Sequence, residues 1–427
     1  MNSKKNLIAL AVASTLSGVS TLISAAGFAL IEQNASGMGN AYAGAAAVAE
    51  DASTIFFNPA GLTKLQGKQV VVAGHLIDLG IEFSNNGNST SPAAITIPPL
   101  GSNGGDAGDG IFVPNLYFSM PLGEKLTFGV GVNAPFGLVT EYDSDWVGRF
   151  QGIKSDLATL NLNPTLAYKV NDMVSVGFGL SYQHFEAKLT NAVVLGANTE
   201  GLVNLAADDD GLGWNAGVLI DASASTRIGA SYRSAIEYTL EGSATVTDPT
   251  GAVIAGVSGA ATADVTLPDM FSVSLMQKLS DKFDVLADIT FTRWSEIQSL
   301  QVNNPAGGTR DTLVLNFDDT YRYSIGLNYR FSDQLTGKAG LAIDESPVND
   351  TNRTVRLPDN DRRWISIGGS YKLSDSGKID FAFANLSTSD TAINQTRGNP
   401  LAGTASRVAG SYDVGINIFS VQYSMSF

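Results

Sequence analysis

Cysteine is absent from the 427 residues, so neither a disulfide nor a thiolate-bound metal supports the fold. Stability has to come from a closed hydrogen-bonded structure or a large core. Histidine is nearly absent: His75 lies in VAGHLIDLG beside Asp78, and His184 lies in SYQHFEAK beside Glu186. Neither has a motif-placed Ser or Cys nucleophile, and GxSxG, a Walker loop and Cys/His ligand spacing are all missing. Enzymatic chemistry and a bound cofactor or metal are therefore not expected, and both histidines read as strand residues at lumen or interface positions. Positive charge is also scarce. The net charge of −15 offers no basic patch to nucleic acid or phosphate. A long internal apolar run is lacking as well, which excludes membrane-spanning helices, since each needs about 20 such residues. Barrels pass that test differently. A spanning strand needs about 10 residues, of which only alternate ones meet lipid, so a mean hydropathy of +0.07 is compatible with one.

What is present begins with a secretory leader. Lys4 and Lys5 precede an apolar stretch diluted by Ser, Thr and Gly, and the small residues Ser24, Ala25 and Ala26 follow. Residues 1–25 are assigned to this leader, with cleavage after Ala25 or Ala26.

Beyond residue 68 the pattern has period two. In MVSVGFGLSYQHF, Val174, Val176, Phe178, Leu180 and Tyr182 share one face, and Ser175, Gly177, Gly179, Ser181 and Gln183 share the other. TYRYSIGLNYRF repeats the alternation, with Arg322 and Arg330 on its polar face. A soluble sandwich also alternates, but aromatics have no reason to recur at its strand ends. Here they recur at Phe112, Tyr117, Tyr168, Tyr182, Trp214, Tyr232, Trp294, Tyr371 and Tyr423, as membrane-interface girdles require. About fourteen such segments follow one another, joined by tight turns on one side. The long connections on the other side are 85–109, 135–156, 191–210, 241–262, 298–311, 345–361 and 389–410. The last segment ends on Phe427, within a strand and on an aromatic, as bacterial outer-membrane barrels do for recognition by their assembly machinery. The expected fold is all-β: a transmembrane antiparallel barrel of about fourteen strands over 68–427, in the bacterial outer membrane.

Several local features bear on function. Segments NAVVLGANTEGLVNL and GAVIAGVSGAATADV are apolar for exposed loops, and apolar surface of that kind usually binds something. Val193, Val194, Leu195 and Leu202 are the candidate contacts in the first, and a hydrophobic solute is the expected ligand. Asp208, Asp209 and Asp210 lack the spacing of a calcium loop, and read as a solvated loop or one bridged to lipopolysaccharide by divalent ions. The run DESPVNDTNRTVRLPDNDRRW mixes carboxylates with Arg353, Arg356, Arg362 and Arg363, which reads as mutual pairing, with contact to a substrate carboxylate as the alternative. Before the first strand, DASTIFFNPAGLTKL contains Pro59, which stops a helix, and Gly61, which permits a tight reversal. Phe56 and Phe57 are expected to pack, and Asn58, Pro59 and Ala60 to hold this segment against the wall.

These pieces together resemble the FadL family of outer-membrane channels for long-chain fatty acids and other hydrophobic compounds. The resemblance rests on GFALIEQNASGMGNAYAGAAAVAEDASTIFFNPAGLTKL, then GLGWNAGVLI, LPDMFSVSL and DESPVNDTNRTVRLPDNDRRW in that order. It implies that residues 26–67 form a hatch inside the barrel. It further implies an apolar groove between 191–210 and 241–262, a pocket at the hatch N-terminus containing Phe28, and sideways release through a gap at a kinked strand. The family's basic positions fall on Asn191 and Leu313, both uncharged, which leaves Lys188 and Arg310 as the nearest cationic substitutes for carboxylate contact. Passive uptake of long-chain fatty acids is the leading expectation. Neutral aromatic or aliphatic hydrocarbons are the alternative substrates, and a barrel enzyme or general porin the other classes.

Overall fold

Inward and outward faces are decided by burial, which a computed structural model gives for residues 27–96 and 100–427. The leader assigned to 1–25 lies outside the described residues. In the strand Val174–Gly196, Ser175, Ser181 and Gln183 are at most 1% exposed, whereas Val176, Phe178, Leu180 and Tyr182 are 40–56% exposed. Polar residues face in and apolar ones face out. Water would make that arrangement unfavourable at about 25 cal/mol per Å² of exposed apolar surface, and lipid removes the penalty.

The strands form one closed antiparallel barrel with fourteen wall positions. These are β1 (Gln69–Asn85), β2 (Gly110–Pro121), the interrupted pair β3 (Leu126–Asn133) and β4 (Gly137–Glu141), β5 (Lys154–Lys169), β6 (Val174–Gly196) and β7 (Thr199–Asp221). Four further interrupted positions each hold two strands. They are β8 (Thr226–Arg233) with β9 (Ile236–Thr247), β10 (Gly259–Leu267) with β11 (Met270–Lys278), β12 (Phe283–Thr292) with β13 (Ser299–Asn303), and β14 (Thr309–Val314) with β15 (Thr320–Arg330). After β16 (Leu335–Asp344) and β17 (Arg362–Ser374), β18 (Gly377–Thr388) continues into β19 (Thr391–Arg397), and β20 (Ser406–Ser426) completes the wall. β20 pairs with β1 from Gln69↔Ser426 to Asn85↔Gly410, so no edge remains there. Short turns at 122–125, 170–173, 222–225, 279–282, 331–334 and 375–376 gather at one end.

Three expectations are corrected. Segment 191–205 is not a loop: β6 and β7 stay paired as far as Gly196↔Thr199, and the triple aspartate lies within β7. Likewise only half of 241–262 is loop: β9 extends to Thr247 and β10 begins at Gly259, leaving 248–258 as the connection. Backbone pairing needs no apolar alternation once a strand has left the membrane, so the hydrophobic pattern fades before the ladder does. Tyr117 and Trp294 are not girdle residues either, because both are buried in the interior.

The N-terminal segment lies inside this wall. It contains the single-turn helices Ala35–Met38, Ala45–Val48 and Thr54–Phe57, then a 3₁₀ helix Pro59–Lys64. Such short helices satisfy few of their own backbone groups, and barrel side chains supply partners instead. Gln422 Oε1 accepts from Ala35 N at 3.0 Å, and Ser274 Oγ accepts from Ala46 N at 2.9 Å. Asn115 donates to Glu32 O, Tyr117 to Gln33 O, Asn215 to Ile55 O and Lys338 to Ser36 O. Pro59 opens the 3₁₀ helix, where its missing N–H costs nothing. Asn58 caps that helix by accepting from Ala60 N, and its Nδ2 donates to Ala46 O and to Val218 O of the wall. Phe57 stacks on Tyr42 and meets Phe56 edge-on. Gly61 does not reverse the chain. It stands in the helix because a methyl there would come within 2.1 Å of Thr54 Oγ1.

Inward glycines mark where the segment touches the wall. A methyl on Gly340 would lie 2.1 Å from the Asn40 carbonyl carbon, and one on Gly229 1.9 Å from Ala46 O. Gly177 and Gly217 receive Ala60 and Asn58 in the same way.

Candidate functional site

One wall position is broken in a way that matters. β2 pairs with β3 only over Leu116–Pro121, so residues 110–115 have no ladder partner on that side. The chain between β3 and β4, at 134–136, turns inward and meets the start of the N-terminal segment instead. Leu30 N donates to Pro135 O at 2.7 Å, and Gly137 N donates to Phe28 O at 2.8 Å. Pro135 suits this position, because it carries no N–H to leave unpaired where the ladder stops.

Phe28 belongs to a cluster of four rings centred on Trp294. Its centroid is 4.9 Å from that of Trp294 and 6.0 Å from that of Phe136, and Trp294 in turn lies 5.9 Å from Phe317. Trp294 reaches this place because the chain between β12 and β13 forms a short 3₁₀ turn that carries the ring inward. On the extracellular side of these rings is a cavity of about 80 Å³, lined by Phe28, Phe185, Leu189, Leu240, Leu300 and Leu313 among others. An engineered cavity of roughly 150 Å³ holds benzene, so a long chain enters this one only if side chains or the N-terminal segment move.

At the polar edge of the cavity stands Arg356. Its Nη1 donates to Lys154 O at 2.8 Å and Ser155 Oγ at 3.1 Å, and its Nη2 to Thr190 O at 3.1 Å and Asn191 Oδ1 at 3.2 Å. All four acceptors are neutral. Burial pushes this guanidinium down to about 10, still far above neutral pH, so a positive charge rests at the edge of an apolar cavity. None of its hydrogen-bond acceptors is a carboxylate.

The residues singled out in the sequence are distributed unevenly around this site. Phe28 lines the cavity and Leu313 does too, while Asn191 accepts from Arg356. Lys188 does not reach it. The side chain projects from the outer face of β6, in step with Tyr182, and pairs with Glu186 at 2.6 Å. Arg310 lies on the β13–β14 hairpin and donates to Val257 O at 2.8 Å. Val193, Val194, Leu195 and Leu202 lie at the β6–β7 tip, beyond the lining residues Leu189 and Leu205 of the same hairpin. His184 is on the outer face with Asp210, and His75 is buried in the lumen against Ser420 Oγ. Asn58, Pro59 and Ala60 contact the wall at Gly177 and Gly217, away from the cavity. Arg356 was visible in the sequence only as one arginine in a mixed-charge run, 165 residues from the Asn191 it bonds.

The family model described as Outer membrane protein transport protein (OMPP1/FadL/TodX) matches residues 16–427. The chain belongs to this family. Family membership and the inside-out barrel together place it in the outer membrane. Among its relatives, outer membrane protein P1 of Haemophilus influenzae is 31% identical over 399 residues, covering 85% of this chain and 86% of that protein. The long-chain fatty acid transport protein of Salmonella typhi is 29% identical over 414 residues, 91% of this chain and 93% of the relative. The crystal structure of a Pseudomonas aeruginosa FadL homologue superposes with a TM-score of 0.87 at 22% identity, covering 94% of this chain and all of the other. That likeness shows the shared fold.

Proposed function

We propose that the protein is a passive outer-membrane channel for hydrophobic molecules, with long-chain fatty acids as the principal substrate. The observation that carries this reading is the apolar cavity with Arg356 at its edge and only neutral acceptors around that guanidinium. An alkyl chain gains about 0.8 kcal/mol per buried methylene there, and the carboxylate gains a charge-assisted hydrogen bond that replaces water. Arg356 takes over the role that Lys188 and Arg310 were expected to fill. The N-terminal segment assigned to 26–67 acts as the hatch, and the break beside 134–136 supports release into the bilayer. A fatty tail leaving sideways never has to be solvated in a polar lumen. No catalytic step, cofactor or metal enters this reading. In the membrane, lipopolysaccharide surrounds the outer face, and the assembly machinery engages the strand that ends at Phe427.

The test compares oleate with oleyl alcohol in cells lacking other such channels. Replacing Arg356 with Gln removes an interaction worth about 1.5–3 kcal/mol, so oleate binding should weaken roughly 10- to 150-fold while the alcohol is spared. Equal behaviour of the two ligands in parent and variant would remove the carboxylate from the reading and favour neutral hydrocarbons.

A further inference from the structure

On the periplasmic side of the four rings lies a second cavity of about 90 Å³. The N-terminal segment gives it an apolar side through Leu30, Ile31, Phe56 and Phe57, and the barrel wall gives it two guanidinium groups, Arg233 and Arg322. Arg322 is 5% exposed. Its Nη2 donates to Ala41 O at 2.7 Å, while Nε and Nη1 have no hydrogen-bond partner. The carboxylate of Asp344, which lines the same cavity, stands 4.0 Å from Nε, at the outer limit of an ion pair and too far for a hydrogen bond, so Nε and Nη1 keep unmet N–H groups. Trp364, 5.0 Å beneath the guanidinium carbon, fixes the plane of the group. Arg233 spends its donors on Ser181 Oγ at 3.2 Å and Phe56 O at 3.1 Å, neither of them charged. Asp288 lines the same cavity with both oxygens engaged by the hydroxyls of Ser274 and Thr290.

An arginine cannot shed its proton to escape such a place, so two buried donors stay unmet beside an amphipathic space. The shape of the missing partner follows from the fork itself: a planar group with two oxygens and an apolar tail. We propose that this cavity is a transit station for the substrate carboxylate, in which Arg322 receives the headgroup from Arg356 once the segment carrying Phe28 moves. Leu30 connects the two parts physically. It lines this cavity and bonds Pro135 at the wall break, so a headgroup held at Arg322 leaves the tail facing the way out. Without a second cation, the carboxylate would cross the interior with its charge uncompensated, at a cost of several kcal/mol.

The inference rests on the carboxylate reading above, and the experiment separates the two. Full-length Arg322→Gln and Arg322→Lys are produced in cells lacking other fatty-acid channels, with barrel folding checked by heat-modifiable migration. Equilibrium binding and initial uptake rate are then measured for oleate and oleyl alcohol. The expected result for Arg322→Gln is oleate binding within twofold of the parent, oleate uptake slowed at least tenfold, and alcohol uptake unchanged. Arg322→Lys should recover most of the oleate rate. Unchanged oleate uptake, or equal loss for acid and alcohol, overturns the transit station. Should Arg322→Gln fail to fold, Arg322→Met takes its place under the same criteria: slowed oleate uptake with unchanged alcohol uptake supports the transit station, and unchanged oleate uptake or a loss shared with the alcohol overturns it. The primary reading fails separately, through unchanged oleate binding in Arg356→Gln.

Discussion

Adding two methyl groups to the barrel wall should unseat the N-terminal segment. The double substitution Gly340→Ala, Gly229→Ala places one methyl 2.1 Å from the Asn40 carbonyl carbon and the other 1.9 Å from Ala46 O. Carbon contacts settle at about 3.5–4.0 Å, so each methyl intrudes by well over an ångström on backbone rather than on a flexible side chain. Overpacking of this kind costs about 1–3 kcal/mol per site. Gly340 lies on β16 and Gly229 on β8, and they share no contact, so the costs add to roughly 2–6 kcal/mol. At tenfold per 1.4 kcal/mol, the ratio of seated to unseated segment falls by roughly 30-fold to 10⁴-fold. The barrel ladder is untouched, because alanine is tolerated in a strand. Single-channel recording in planar bilayers should then show openings rare in the parent, and cells should become sensitive to large antibiotics that the outer membrane normally excludes. Gly415→Ala is the control, since nothing lies within 4 Å of its added methyl. If the double variant is as silent as Gly415→Ala, the glycines are not what makes room for the segment.

Three further outcomes are expected. Phe28→Ala removes the ring between the two cavities, so it should raise the uptake rate of short hydrophobic probes and weaken ligand-dependent quenching of Trp294 fluorescence, with Trp294→Phe as the spectral blank. Lys188→Ala should leave oleate uptake at the parental level, because the ammonium is outside the barrel with Glu186; a severalfold loss would contradict that placement. Asn58→Ala leaves Ala46 O and Val218 O without their donor and Ala60 N without its acceptor, a loss of about 1–3 kcal/mol in hatch seating, which proteolysis of residues 27–66 in purified protein would register.

The wall was readable from the sequence because lipid imposes a strict face rule on every spanning residue. Ser175 to Gln183 and Val176 to Tyr182 fall on the faces that alternation assigned, and the short turns stand where Gly, Ser, Asn and Asp cluster. That rule lapses above the membrane, so the paired tips of β6 and β7 looked like loop. Tyr117 and Trp294 looked like girdle residues because an aromatic near a strand end is ambiguous until its parity is known. For the site, Phe28 came from family resemblance. Arg356 could not come from parity, spacing or charge, since it reaches the cavity from a loop and its partners sit on β5 and β6. The inward glycines belong to the same class. Small residues on a lumenal face look alike whether they meet water or backbone, and the path of residues 27–66 decides which.

The seam between β1 and β20 has a consequence for the order of assembly. Its ladder joins Gln69 to Ser426, and the pairing continues outward to Lys68 and Phe427, whose backbone groups bond each other at 3.0 and 2.9 Å. The N-terminal segment ends where this seam begins. A chain that zipped the seam first would then have to thread some forty residues into a finished cylinder through an end crowded with side chains. Closing the seam last lets the segment be laid in from the side while the cylinder is still an open sheet. On that order of closure the final strand would be the door of a vessel already filled, with the bonds between Lys68 and Phe427 as its latch.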